Sequence, residues 1–292
     1  MNNPFKGSGV ALVTPFNEDL TIDFTALKQL VRYQIENGTD FLVVQGTTGE
    51  SPVLSMAEKL EVLKTVQEEN DGQLKVVFGV GGNDTVAVGE ILKQLPSGID
   101  GILSVSPYYN KPTQKGIVEH YRYISACTPL PIILYNVPGR TGSNVSAETT
   151  LELAEIENIV AMKEASGSFE QIMEIIQNKP EVFDVLSGDD AITMPLITVG
   201  VAGVISVVAN AFPKRFSSMV HNAIDQKTEL AKKDYYALFS ITNMLFEEGN
   251  PGGVKVALAA QNIMKPFMRR PLHPVSDGLK VRIEKETKKI LS

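Results

Sequence analysis

Ile159-Val160-Ala161-Met162-Lys163-Glu164-Ala165-Ser166 is an apolar run with a lysine near its far end. Its length and β-branched start suit a short strand, in which Ala161, Lys163 and Ala165 share one face. Two readings of the lysine follow. It is the point where a strand reaches solvent, or it is an amine held in an apolar pocket to attack a carbonyl. An exposed lysine, with a pKa near ~10.4, is uncharged only about once in a few thousand molecules at pH 7. Burial among small apolar neighbours favours the neutral amine, the nucleophile that forms a Schiff base.

Runs of the same kind recur on both sides of this one. Gly9–Phe16, Phe41–Gln45, Lys75–Val80, Gly101–Ser106 and Pro131–Val137 precede it; Phe183–Ser187 and Gly203–Val208 follow. Helical patterns separate them. Asp23 caps a helix whose Phe24, Leu27, Leu30, Val31 and Ile35 recur at helical spacing, and Ser55-Met56-Ala57-Glu58 is a capping box. Ser168-Phe169-Glu170-Gln171 reads as a second such box. Eight β-α units without a linker or low-complexity break predict one closed (β/α)8 TIM barrel over residues 1–225. Beyond Gln226 the pattern is helical only, with Leu230–Phe246, Val254–Met264 and Asp277–Leu291 as candidates. Residues 226–292 are expected to pack on the barrel as a C-terminal helical extension, whose amphipathic faces also suit a subunit contact.

Bulk properties exclude several classes. At 292 residues and 43% hydrophobic content the chain fills one large α/β barrel. A net charge of −7 argues against nucleic acid or an anionic membrane as partner. The single cysteine, Cys127, excludes an internal disulfide and suits the cytoplasm, where it reads as a small apolar residue after a helix. The N-terminal MNNPFKGSG shows no apolar leader core. Ala191–Phe212 is uncharged and long enough to span a membrane, but Pro195, Gly200, Gly203, Ser206 and Asn210 interrupt it. A buried helix, a turn and a buried strand account for it better.

In such barrels the carboxyl ends of the strands carry the active site. The second strand ends in Gly46-Thr47-Thr48-Gly49-Glu50-Ser51, which suits carboxylate binding through hydroxyls and N–H groups, or serves only as a turn before the Ser55 helix. The fourth ends in Pro107-Tyr108-Tyr109-Asn110-Lys111-Pro112. Paired tyrosines are more often packing residues than catalysts. The fifth ends in Tyr135-Asn136-Val137-Pro138-Gly139-Arg140-Thr141. Arg140 is either a solvated loop charge or a planar fork for a carboxylate. The seventh ends in Ser187-Gly188-Asp189-Asp190, whose acids argue against a phosphorylated substrate and read first as helix caps. His120, His221 and His273 are scattered, so no metal site is expected. Taken together, lysine, tyrosine, threonine hydroxyls and arginine on one rim point to covalent amine catalysis on a keto acid.

With these motifs assembled, the chain resembles the pyruvate-dependent aldolases of the N-acetylneuraminate lyase superfamily, and within it the dihydrodipicolinate synthase family. GTTGES, PYYNKP, YNVPGRT, MKEASG, SGDD and GVISV fall in order from about Gly7 to Lys289. The resemblance implies a Schiff base between Lys163 and pyruvate, with no other cofactor and no metal. It implies proton relay by Tyr135, with Thr47 linking Tyr135 to a Tyr109 that reaches in from a neighbouring subunit. Thr48 would hold the pyruvate carboxylate and Arg140 that of L-aspartate 4-semialdehyde, with Gly188 and Ile205 lining the pocket through their backbones. The family is usually a homotetramer built as a dimer of dimers.

Two departures stand out. Lysine-inhibited members hold the amino acid with histidine and glutamate side chains. Here the corresponding positions are Met56, Lys59 and Ala87, although Ser51, Asn83 and Tyr108 remain, so weak or absent lysine feedback is expected. Asn250-Pro251-Gly252-Gly253 stands where the family more often has a second proline, a change expected to touch no catalytic role. The competing expectation is an aldolase for a sialic or keto-deoxy sugar acid, which generally lacks an arginine placed like Arg140. A catalytically idle barrel and a metal-dependent aldolase are further alternatives, disfavoured by the intact rim and the histidine count.

Overall fold

The computed structural model describes residues 3–292; Met1 and Asn2, the first residues of the segment read for a leader and of the barrel range, lie outside the described residues. Each β-branched run forms a strand: β1 Gly7–Ala11, β2 Phe41–Val44, β3 Lys75–Gly79, β4 Gly101–Val105, β5 Ile132–Asn136, β6 Ile159–Glu164, β7 Asp184–Ser187 and β8 Gly203–Ser206. All pair in parallel, in chain order, and β8 returns to β1 to close the barrel. The closure is tight. A Cβ on Gly203 would lie 2.2 Å from the Gly7 carbonyl oxygen.

The helices are α1 Phe24–Glu36, α2 Met56–Asn70, α3 Thr85–Lys93, α4 Gln114–Ser125, α5 Pro138–Thr141, α6 Ala147–Ala154, α7 Phe169–Asn178, α8 Thr193–Thr198 and α9 Pro213–Ile224. After them come α10 Thr228–Phe246, α11 Gly252–Ala259 and α12 Asp277–Leu291. Residues Ala191–Phe212 form a short helix, a turn and β8, and no helix of the described residues is long and apolar enough to cross a membrane.

Two layers of apolar side chains result. Alternate strand residues such as Val10, Leu42, Val76, Ile102, Leu134 and Met162 face the helices, while Phe41, Val43, Val77, Leu103, Ile133, Ala161 and Leu186 fill the lumen. Each fully buried aliphatic or aromatic side chain contributes roughly 1.5–3 kcal/mol.

The local reading differs from the structure in several places; α11 ends at Ala259, not Met264. β1 ends at Ala11, not Phe16; Phe16 is drawn into an isolated antiparallel bridge with Ile22. The Ser55 capping box forms with both arms. The Ser168 box forms only one: Ser168 Oγ accepts from the Gln171 N–H, while the Gln171 side chain turns to Glu164 and Asn144, stronger partners than its own cap. Arg140 sits on the single turn of α5 rather than in an irregular loop.

Candidate active site

β5 and β6 place Tyr135 and Lys163 side by side. Their register shifts between Ile132 and Ile133, so that Ile132 faces Ile159 but Ile133 faces Ala161. The extra residue is Val160, and it joins Ala161 among the lumen side chains. Downstream of this irregularity Tyr135 lies opposite Lys163, and their side chains meet: Lys163 Nζ is 4.4 Å from the Tyr135 ring centroid. Bulges often re-aim side chains beside active sites. Lys163 is only 6% exposed and has no ion-pair partner among the described residues. A Cβ on Gly188 would lie 3.1 Å from Lys163 Cε and 2.7 Å from Ala165 Cβ, so only glycine leaves the lysine its space.

One cavity of about 360 Å³ gathers Lys163, Tyr135, Thr47, Thr48, Arg140 and Gly188. Two expected site residues lie apart from it. Ile205 is buried in the lumen packing, and Tyr109 is 87% exposed on the loop after β4, with φ at 72°. A second cavity, of about 310 Å³, shares Tyr135, Thr47 and Arg140 and extends to Ser51, Lys59 and Tyr108. Lys59 is half-buried there, burial lowers its pKa, and no carboxylate lines the space.

The turn that carries the threonine hydroxyls is held from below. Thr47–Gly49 is a 3-10 turn and Glu50 closes it in the left-handed region, φ 56°. The Glu50 carboxylate pairs with Lys255 of α11, both side chains fully buried, and accepts from the Arg269 backbone N–H at 3.0 Å. Lys255 Nζ also donates to the Thr14 and Phe267 carbonyls, each at 2.8 Å. Burial pulls the Lys255 pKa down to about 8, the Glu50 charge opposing it. Asn250 Nδ2 donates to Thr48 Oγ1 at 2.9 Å. The Asn250-Pro251 segment therefore reaches the turn of the threonine hydroxyls. Its contact partner lies 202 residues away in the chain, beyond what local pattern reveals.

The Arg140 turn is tied to the same strands. Glu164 is buried and has no cationic partner among the described residues; it accepts from Asn136 Nδ2 at 3.0 Å, Gln171 Nε2 at 3.0 Å and the Ser166 N–H at 2.6 Å. Asn136 in turn binds Asn144 and accepts from the Val145 N–H, fixing the chain just past α5.

Of the two acids after β7, Asp189 caps the following turn through the Ala191 N–H, as expected. Asp190 does not cap. It is buried, accepts from the Val207 and Val208 N–H groups at the end of β8, and burial pushes its pKa up to about 6. The histidines stand apart: His120 meets Thr85, His221 meets Asp40, and His273 meets the Pro274 carbonyl. Cys127 is half-buried in the turn after α4, its thiol donating to the Tyr123 carbonyl.

Comparison with known proteins bears on this geometry. A family model, the dihydrodipicolinate synthetase family, matches residues 4–290. A 4-hydroxy-tetrahydrodipicolinate synthase of Parabacteroides distasonis is 51% identical over 271 residues, 92% of this chain and 91% of the relative. The crystal structure of dihydrodipicolinate synthase from Thermotoga maritima superposes with a TM-score of 0.96 at 38% identity, covering 99% of both chains. The chloride-inhibited enzyme of Acinetobacter baumannii, solved with pyruvate, gives 0.95 at 38% identity, covering 98% of both chains. With a match along nearly its whole length in sequence and in fold, the chain belongs to the dihydrodipicolinate synthetase family.

Proposed function

We propose that Lys163 condenses with the ketone of pyruvate, and that the adduct is added to L-aspartate 4-semialdehyde, the reaction of a 4-hydroxy-tetrahydrodipicolinate synthase on the diaminopimelate route to lysine. The observation that carries this is a buried lysine without an ion-pair partner, 4.4 Å from the Tyr135 ring and open to the cavity of Thr47, Thr48 and Arg140. The amine adds to the carbonyl carbon and water leaves, giving an imine. Loss of a methyl proton makes an enamine, whose carbon attacks the aldehyde. Attack of the aldehyde partner's own amine on the imine carbon then releases Lys163 and closes the ring.

Tyr135 relays the protons, a role worth typically ~10²–10⁴-fold. Thr47 links it to Tyr109 of the partner subunit, which accounts for a tyrosine that is 87% exposed in one protomer. Thr48 holds the pyruvate carboxylate and Arg140 that of the aldehyde; Gly188 shapes the wall, and Ile205 supports it only from the lumen packing. The imine itself acts as electron sink, so neither metal nor further cofactor takes part, and activity survives a chelator. The working form is a cytoplasmic homotetramer, a dimer of dimers, with pyruvate and L-aspartate 4-semialdehyde as its small-molecule partners.

A substrate panel tests the assignment. With pyruvate held constant, L-aspartate 4-semialdehyde is turned over in preference to N-acetylmannosamine or glyceraldehyde; preference for either sugar would move the protein to the sugar-acid aldolases.

A further inference from the structure

We infer that Asn250, from the segment between α10 and α11, is a positioning residue for the keto acid, because its amide sets the direction of the Thr48 hydroxyl. The inference rests on the reading of Thr48 as the holder of the pyruvate carboxylate. Asn250 and Thr48 both line the Lys163 cavity and are 9% and 3% exposed. Asn250 Nδ2 donates to Thr48 Oγ1 at 2.9 Å, the only side-chain hydrogen bond of Thr48 among the described residues. Asn250 Oδ1 is buried without a partner.

A threonine hydroxyl has one proton and two lone pairs. The amide N–H occupies a lone pair, so the Thr48 proton is free for a second partner. In a cavity already holding Lys163 and Arg140, that partner is the anionic oxygen of the substrate. An acceptor in place of Nδ2 would reverse the arrangement. The hydroxyl would donate to it and turn its lone pairs on the incoming carboxylate. Asn250 thus makes Thr48 a donor, and does so from the helical segment rather than from the barrel.

The polarity gives a test that packing alone does not mimic. Asn250→Asp keeps the shape but replaces the donor by an acceptor. It is expected to raise the KM for pyruvate about 10-fold or more, the scale of one charge-assisted hydrogen bond, with kcat within about 3-fold. Asn250→Ala removes donor and acceptor together and is expected to raise KM less. A space-filling role predicts the opposite order, with alanine worse than the isosteric aspartate; that order, or an unchanged KM in Asn250→Asp, overturns the inference. Thr48→Val separates the two layers. If it leaves the pyruvate KM unchanged, the reading of Thr48 fails and this inference with it. If it raises KM while Asn250→Asp does not, Asn250 alone is misassigned. Should Asn250→Asp not fold, as judged by circular dichroism, a double-mutant cycle of Thr48→Val with Asn250→Ala asks the same question. Coupled effects on KM are expected; additive ones contradict the inference.

Discussion

Arg140 and Lys163 face one cavity from adjacent strand ends, yet they serve different molecules in the proposed reaction. Replacing Arg140 by alanine should therefore raise the KM for L-aspartate 4-semialdehyde by about 10–100-fold, as expected for losing a bidentate carboxylate clamp. The yield of pyruvate trapped on the enzyme should not change. Equal losses for both substrates would remove Arg140 from that role. Tyr135→Phe should keep the cavity and lower kcat by about 100-fold or more; unchanged turnover in the steady-state assay would contradict the relay. At this scale much was legible. Lys163 and Tyr135 end apolar runs, and the threonines and Arg140 follow such runs directly, so topology alone places them on one rim. The extra residue at Val160 was not legible. Its only signature is the register between β5 and β6, and without it Tyr135 would face Met162.

Helices and turns are joined by contacts that no local pattern carries. The Glu50–Lys255 pair spans 205 residues and ties α11 to the turn before α2. Lys255→Met should leave the Glu50 charge buried and unpaired, costing about 3–5 kcal/mol of stability in chemical denaturation. Glu50→Gln with Lys255→Met should recover much of that loss. A Lys255→Met protein as stable as the parent would show that the pair does not hold the turn. His120 joins α4 to α3 through Thr85, with 2.8 Å between Nδ1 and Oγ1. Burial pushes its pKa down to about 4, against an ordinary ~6.5, so the unfolded chain binds the proton first as pH falls. Its contribution is complete above pH ~6.5 and is lost as pH falls toward 4, amounting to roughly 3 kcal/mol in all. His120→Gln should reduce the drop in Tm between pH 7 and pH 5; an identical drop would show that another group governs it.

For the whole molecule, the charge beside the active site bears on feedback by lysine. The cavity beside the active site holds the half-buried Lys59 and no carboxylate, while Met56 and Ala87 are exposed at the starts of α2 and α3. A lysine ammonium entering this space meets a cation and finds no anion. L-Lysine at millimolar concentration should leave the steady-state rate within about 20%, whereas Lys59→His with Ala87→Glu should introduce inhibition. Sub-millimolar inhibition of the parent would contradict this. The closed barrel was readable because eight runs repeat at similar spacing. The grip of the C-terminal segment on the Thr47–Glu50 turn was not, because the side chains of Asn250 and Lys255 and the backbone N–H of Arg269 act as single contacts across the fold.

In the proposed reaction the Lys163 nitrogen itself becomes bonded to the keto acid. The direct measurement is mass spectrometry of the protein after borohydride reduction in the presence of pyruvate, followed by peptide mapping. One reduced pyruvate adduct per chain, on the peptide containing Lys163 and absent from Lys163→Ala, is the predicted result. No added mass, or an adduct on a different lysine, would contradict it.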